Sequence, residues 1–271
     1  MGQERSVHET VATLGAAARR EVTAIARHVR GLDDAGWDSS SWCEGWSVRE
    51  VVAHLAEGVD RFTQQVRGAL AGQPIEFAMA ERDARRQVVK ALPPAELINE
   101  LKRRTGGFYE YLESLTPEQL TTPRVPMAAG LTAPLAIAYL RLQEPAIHRW
   151  DILAPTQPDA TLDPDSAALL IDYVLGNASR QTRPEALAGL DATYHLQVEG
   201  PGGGRVIITC REGKATVARA ADSGPVALTL STEALVRLLW GRMAIERALE
   251  RGVLRGDPEA ARALGRVFGN R

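Results

Sequence analysis

Through the first 153 residues the apolar side chains recur at three- and four-residue steps, a period that suits helices and rules out strands over most of that length. Val11, Leu14, Ala18, Val22, Ile25, Val29 and Leu32 line one face of a helix that begins near Val7. The stretch DDAGWDSSSWCEGW follows, a loop whose Trp37, Trp42 and Trp46 rings are large enough to pin it to the body of the protein. Ser47-Val-Arg-Glu50 has the form of a capping box, in which serine and glutamate each satisfy a free backbone N–H at a helix start. Val48, Val51, Val52, Leu55, Val59, Phe62 and Val66 then mark a second helix. A third is expected over Ala95–Leu115, punctuated by Thr116-Pro117, and a fourth over Pro134–Leu153, where Pro145 must remove one hydrogen bond and bend the helix. Four such helices predict an N-terminal all-α four-helix bundle with antiparallel neighbours.

The pattern changes after APTQPDATLDPD. A helix through Leu169, Leu170, Tyr173 and Val174 is followed by two alternating segments, Tyr194/Leu196/Val198 and Val206/Ile208/Cys210, with Gly200–Gly204 between them as a turn. KATVARA and PVALTL read as further strands, Ser231-Thr232 opens a helix, and Asp257-Pro258 caps and starts the last one. The expectation is a bundle over 1–157 and an α+β domain over 158–271.

Composition narrows the partners. Among 271 residues, 32 Lys and Arg against 34 Asp and Glu leave a formal charge of -2, so no global field gathers nucleic acid or anionic lipid. No apolar run approaches the ~20 residues that span a bilayer, and MGQERSVHETVATLG lacks the apolar centre of a signal peptide. Two distant cysteines, Cys43 and Cys210, form no disulfide framework and fit a reducing cytoplasm. No GxGxxG, GxxxxGK[ST] or GxSxG pattern occurs, which disfavours nucleotide chemistry and the nucleophile elbow. The sequence is compatible with a monomer.

Five histidines are available, and each can be weighed singly. His8 and His28 read as face residues of the first helix, and His195 as a strand residue pointing away from Tyr194 and Leu196. Glu144 and His148 stand four residues apart on the fourth helix, with Cβ atoms about 5–6 Å apart, close enough to share a cation or to form an exposed ion pair. His54 lies within VVAHLAEGV and can face the bundle interior. Asp151 is placed to orient His148, or else to meet Arg149 at the helix end. Cys43 has no base or paired cysteine beside it in the sequence and reads as a small buried side chain. Trp46 and Trp150 read as core by their size, and Arg242 as either a bidentate contact for a substrate carboxylate or a helix-end cap.

Taken together, Trp42-Cys-Glu-Gly-Trp-Ser-Val-Arg-Glu-Val-Val-Ala-His54-Leu and Glu144-Pro-Ala-Ile-His148-Arg-Trp-Asp151-Ile resemble the mycothiol-dependent maleylpyruvate isomerase family, within the DinB-like metal-binding bundles. The Leu-Leu-Trp-Gly241-Arg242 and Val-Leu-Arg-Gly-Asp257 stretches are similar to the sterol-carrier-like domain that often follows such bundles. The resemblance implies a divalent metal, usually Zn²⁺, held by His54, Glu144 and His148, and mycothiol as the thiol cofactor. Two imidazoles and one carboxylate suit zinc and leave a fourth position for water or sulfur. The function so implied is attack of an activated thiol on a small electrophile, ending in cis-trans isomerisation or in S-transfer. Two alternatives stay open: a metal hydrolase using bound water, and a non-catalytic small-ligand-binding protein.

Overall fold

A computed structural model describes residues 6–128, 130–221 and 224–270. The chain divides into two compact units, Met1–Ala160 and Thr161–Arg271. The first contains α1 (Val7–Val29), α2 (Asp34–Asp38), α3 (Val48–Leu70), α4 (Met79–Lys90), α5 (Pro94–Glu113), α6 (Pro117–Thr121), a small antiparallel pair β1 (Val125–Met127) and β2 (Gly130–Thr132), and α7 (Pro134–Leu153). The long helices α1, α3, α5 and α7 form the expected four-helix bundle.

Their starts are chemically marked. Ser6 with Glu9, Ser47 with Glu50 and Thr116 with Gln119 complete reciprocal capping boxes on α1, α3 and α6, while α5 and α7 begin on proline, whose missing N–H costs nothing in a first turn. The stripe on α1 from Val11 to Val29 is buried, as is that on α3 from Val48 to Val66. Tyr109 of α5 is fully enclosed, and its hydroxyl donates to the Ala138 carbonyl of α7 at 2.8 Å. Opposite it, Gly15 lets α1 approach closely: a Cβ there would lie 3.0 Å from three Tyr109 atoms.

Several elements go beyond the sequence expectation. The α4 helix has a largely polar sequence with Val89 as its one buried residue, so it carries almost no apolar period to read. The five-residue α2 and the three-residue strands β1 and β2 are too short to show a period at all. Pro145 lies inside α7, which is helical on both sides of it.

The second unit contains α8 (Pro164–Asn177), a 3-10 turn at Ala178–Gln181, α9 (Pro184–Leu187), β3 (Ala192–Glu199), β4 (Gly204–Arg211), β5 (Lys214–Arg219), β6 (Leu228–Ser231), α10 (Thr232–Leu239), α11 (Ile245–Glu250), β7 (Arg255–Gly256) and α12 (Pro258–Val267). Its sheet has the order β5-β4-β3-β6-β7, antiparallel except for the β3–β6 pair. Leu196, Val198, Val206, Ile208, Cys210, Leu228 and Leu230 are buried at alternate positions, as a sheet with one covered face requires. Gly200–Gly204 turns the chain between β3 and β4, and a Cβ on Gly203 would collide with the Val198 carbonyl. This is the α+β architecture the sequence predicts.

The Tyr109 hydroxyl ties α5 to α7 inside the core. Tyr109→Phe keeps the ring and removes one buried hydrogen bond, so it should lower unfolding free energy by about 1 kcal/mol, read as a fall in the urea midpoint with an unchanged m-value.

Candidate metal centre

The centre is built mainly by α7. Arg141, Glu144, His148 and Asp151 follow one another at steps of three, four and three residues, which puts all four on one stripe of the helix. Ile137, Ala138, Leu142, Ala146 and Ile147 are buried as well, so α7 is enclosed on most of its circumference, with Arg141 and Asp151 of its polar stripe buried and Glu144 and His148 partly open to solvent. His54 reaches the same place from the second turn of α3, whose start is fixed by the Ser47–Glu50 box.

The His54 Nε2–H donates to Glu144 Oε2 at 2.9 Å, and His148 Nε2 lies 3.7 Å from the same oxygen. The two imidazoles meet edge to face, with ring centroids 5.1 Å apart. The ligand atoms of the three residues all lie within 4.8 Å of one another, and all three side chains are half-buried. A four-coordinate zinc with bonds of about 2.0–2.2 Å holds neighbouring ligand atoms roughly 3.3–3.6 Å apart. The two distances to Glu144 bracket that range, and the donor set of two imidazole nitrogens and one carboxylate oxygen is one that zinc accepts, so the residues present fit the ion.

On its other side, His148 Nδ1–H donates to Asp151 Oδ2 at 2.9 Å, and the Asp151 side chain is fully enclosed. Of the two roles open to Asp151, the contact made is the one with His148, while Arg149 pairs with the buried Glu21 at 2.6 Å. Arg141, also buried, places Nη1 4.0 Å from Glu144 Oε2 and donates through Nη2 to the Leu55 carbonyl. Gly58 leaves it room, since a Cβ there would lie 2.8 Å from Nη1.

These contacts set the charges. Burial works against ionisation of Glu144, but the hydrogen bonds and charges of His148 and His54 outweigh it and hold the carboxyl well below its ordinary range. Burial likewise works to strip the proton from His148, yet hydrogen bonds with Asp151, Cys43 and Glu144 reverse the balance and raise it well above the usual imidazole value. For His54 burial wins and lowers the value, with Glu144 opposing. The two histidines of one cluster are therefore electrostatically unlike.

One expectation is corrected. Cys43 is not an isolated buried side chain: it is half-buried, with Sγ donating to Asp151 Oδ2 at 3.2 Å and lying 3.8 Å from His148 Nδ1. Cys43, His148 and Asp151 form a second group with ligand atoms within 4.8 Å of one another. Nothing in the local sequence announces this, because the partners lie 105 and 108 residues away. Trp150 is core, as expected, whereas Trp46 packs against the core but is only half-buried, meets the His54 ring in a T-shaped contact with centroids 5.1 Å apart and lies beneath the Arg86 guanidinium. His8 bonds the Leu115 carbonyl, and His28 and His195 lie outside the cluster. Arg242, in the second unit, donates through Nη1 to the Trp240 carbonyl just beyond α10.

A helical bundle that gathers two histidines and a carboxylate on facing helices, followed by an α+β unit, defines a class of two-unit proteins with a candidate metal centre in the bundle. Residues 18–153 match the mycothiol maleylpyruvate isomerase N-terminal domain, and the chain belongs to that family. Residues 171–269 match the SCP-2 sterol transfer family. A crystal structure of the mycothiol-dependent maleylpyruvate isomerase superposes with a TM-score of 0.61 at 18% identity, covering 89% of this chain and 93% of that one. A histidine-to-alanine mutant of that isomerase gives 0.60 at 17% identity, with the same coverage. At such identities the likeness is one of fold. No curated protein sequence matches the chain.

If Asp151 fixes the ring of a metal-binding His148, then Asp151→Asn should weaken zinc affinity by about 10–100-fold, measured by competition with a chromophoric chelator.

Proposed function

We propose that the chain is a zinc- and mycothiol-dependent enzyme that turns a thiol on a small electrophile, with the metal held by His54, Glu144 and His148. The observation that carries this reading is the convergence of the three ligand atoms within 4.8 Å at a mostly buried but not closed place in the bundle, in a chain of the mycothiol maleylpyruvate isomerase family. When bound there, Zn²⁺ supplies the positive charge that lets a thiol lose its proton near neutral pH.

The residues of the chain do the rest. Glu144 brings a full negative charge, and His54 and His148 bring nitrogen donors from two different helices, so the set is held by tertiary packing and not by one flexible loop. Asp151 fixes His148 from behind. The exposure of the three side chains leaves a side open for the thiol and the electrophile. Mycothiol would supply a thiolate able to add reversibly to an activated double bond, which gives cis-trans isomerisation if the same sulfur leaves again and S-transfer if the adduct is protonated and released. The nucleophile is the thiol cofactor, not Cys43. Such thiol chemistry and the two free cysteines suit a reducing, cytoplasmic setting. Among the described residues no helix is long and apolar enough to cross a membrane.

The test is metal content per chain, by elemental analysis, for the wild type and Glu144→Ala, followed by titration of mycothiol into each. Near-stoichiometric zinc in the wild type, its loss in the variant, and thiol binding by the metal-loaded form alone are expected. A wild type that takes up no zinc overturns the reading, and turnover of an ester or amide without thiol replaces it with a hydrolase.

A further inference from the structure

Resting on the assignment of His148 as a metal ligand, we propose that Cys43 is a positioning residue for that ligand, acting through Asp151. Two donors converge on one oxygen. Asp151 Oδ2 accepts the His148 Nδ1–H at 2.9 Å and the Cys43 S–H at 3.2 Å, and the two donor atoms lie 3.8 Å apart. The carboxylate is 0% exposed, so bulk water is not there to replace a lost donor, and its orientation is set by the protein groups around it. The thiol therefore helps to fix where Oδ2 sits. Oδ2 in turn fixes the plane of the His148 ring and the direction in which Nε2 faces Glu144, 3.7 Å away.

The loop that carries Cys43 is built to hold it there. The Trp42 N–H donates to the backbone carbonyl of Asp151 itself at 2.8 Å, tying the loop to α7 at the residue whose side chain the thiol meets. Ser41 Oγ accepts the Cys43 N–H at 3.1 Å, and the Trp46 N–H donates to the Cys43 carbonyl at 3.0 Å. Ser40 and Ser47 form a β-bridge across the base of the loop, directly before α3, which carries His54. One short segment thus connects the start of the helix bearing one histidine to the carboxylate behind the other. A thiol in this position needs neither to attack a substrate nor to touch the metal in order to matter.

The experiment compares the wild type, Cys43→Ala and Cys43→Ser by zinc competition against a chromophoric chelator, with the urea midpoint of each measured alongside. Alanine removes the donor, and about a tenfold loss of zinc affinity is expected, at the lower edge of what outer partners of metal ligands contribute. Serine keeps an O–H donor on the same carbon and should recover most of that loss, a rescue that a cavity effect alone does not give. Equal affinity in alanine and wild type overturns the proposal while leaving the ligand assignment intact. Equal loss in alanine and serine overturns it as well, by assigning the effect to volume. A second equivalent of zinc bound by the wild type and lost in Cys43→Ala makes Cys43 a ligand instead, together with His148 and Asp151. A wild type that binds no zinc removes the ligand assignment, and this proposal with it.

Discussion

The carboxylate of Glu144 lies within a helical bundle where little water can hold its charge, and the surrounding structure answers that one demand. Ionised carboxylates inside proteins persist only where donors or cations replace hydration. Here the replacement comes from His54 on α3 and from His148 and Arg141 on α7. For His54 to reach Glu144 the two helices must run close at this level, and Gly58 on α3 is what lets the Arg141 side chain fit between them. The buried arginine then spends a second N–H on the Leu55 carbonyl and lies against the Phe62 ring. Packing and electrostatics are one arrangement at this point of the fold.

Two acids share the imidazole of His148, one at each nitrogen, and this separates it from His54, which faces one acid and the Trp46 indole. The opposed directions in which burial and neighbours move the two histidines follow from that difference in company. The first of the contacts that keep the proton on His148 comes from Asp151, outside the set of three, with Cys43 and Glu144 adding to it.

Much of the bundle was legible because its helices are long and amphipathic: the stripes on α1 and α3 repeat often enough that no other structure accommodates them. The α4 helix was not legible, since MAERDARRQVVK buries little beyond Val89. Glu144 and His148 could be paired from their spacing, and His54 added from its apolar surroundings, because helix geometry and burial are local properties. Asp151 could be placed to orient His148 for the same reason, with Arg149 on the same helix left as the competing partner. Trp46, read as core, does pack against it while staying partly open beside His54, whereas the polar partners of Cys43 were not legible, because they depend on how a loop folds back on a helix a hundred residues later, and no local period encodes that. In the second unit the alternation of β3 and β4 was clear, whereas the parallel pairing of β3 with β6 is a tertiary fact.

An aromatic ring with an acid against each of its nitrogens has lost a freedom that surface histidines keep. Turning the His148 ring by half a revolution about its Cβ–Cγ bond would present carbon to Asp151 and to Glu144, forfeiting both contacts at once. The ring therefore has one resting orientation. An arriving ligand meets a nitrogen that does not have to be searched for, and the entropy of aligning it has already been lost when the chain folded.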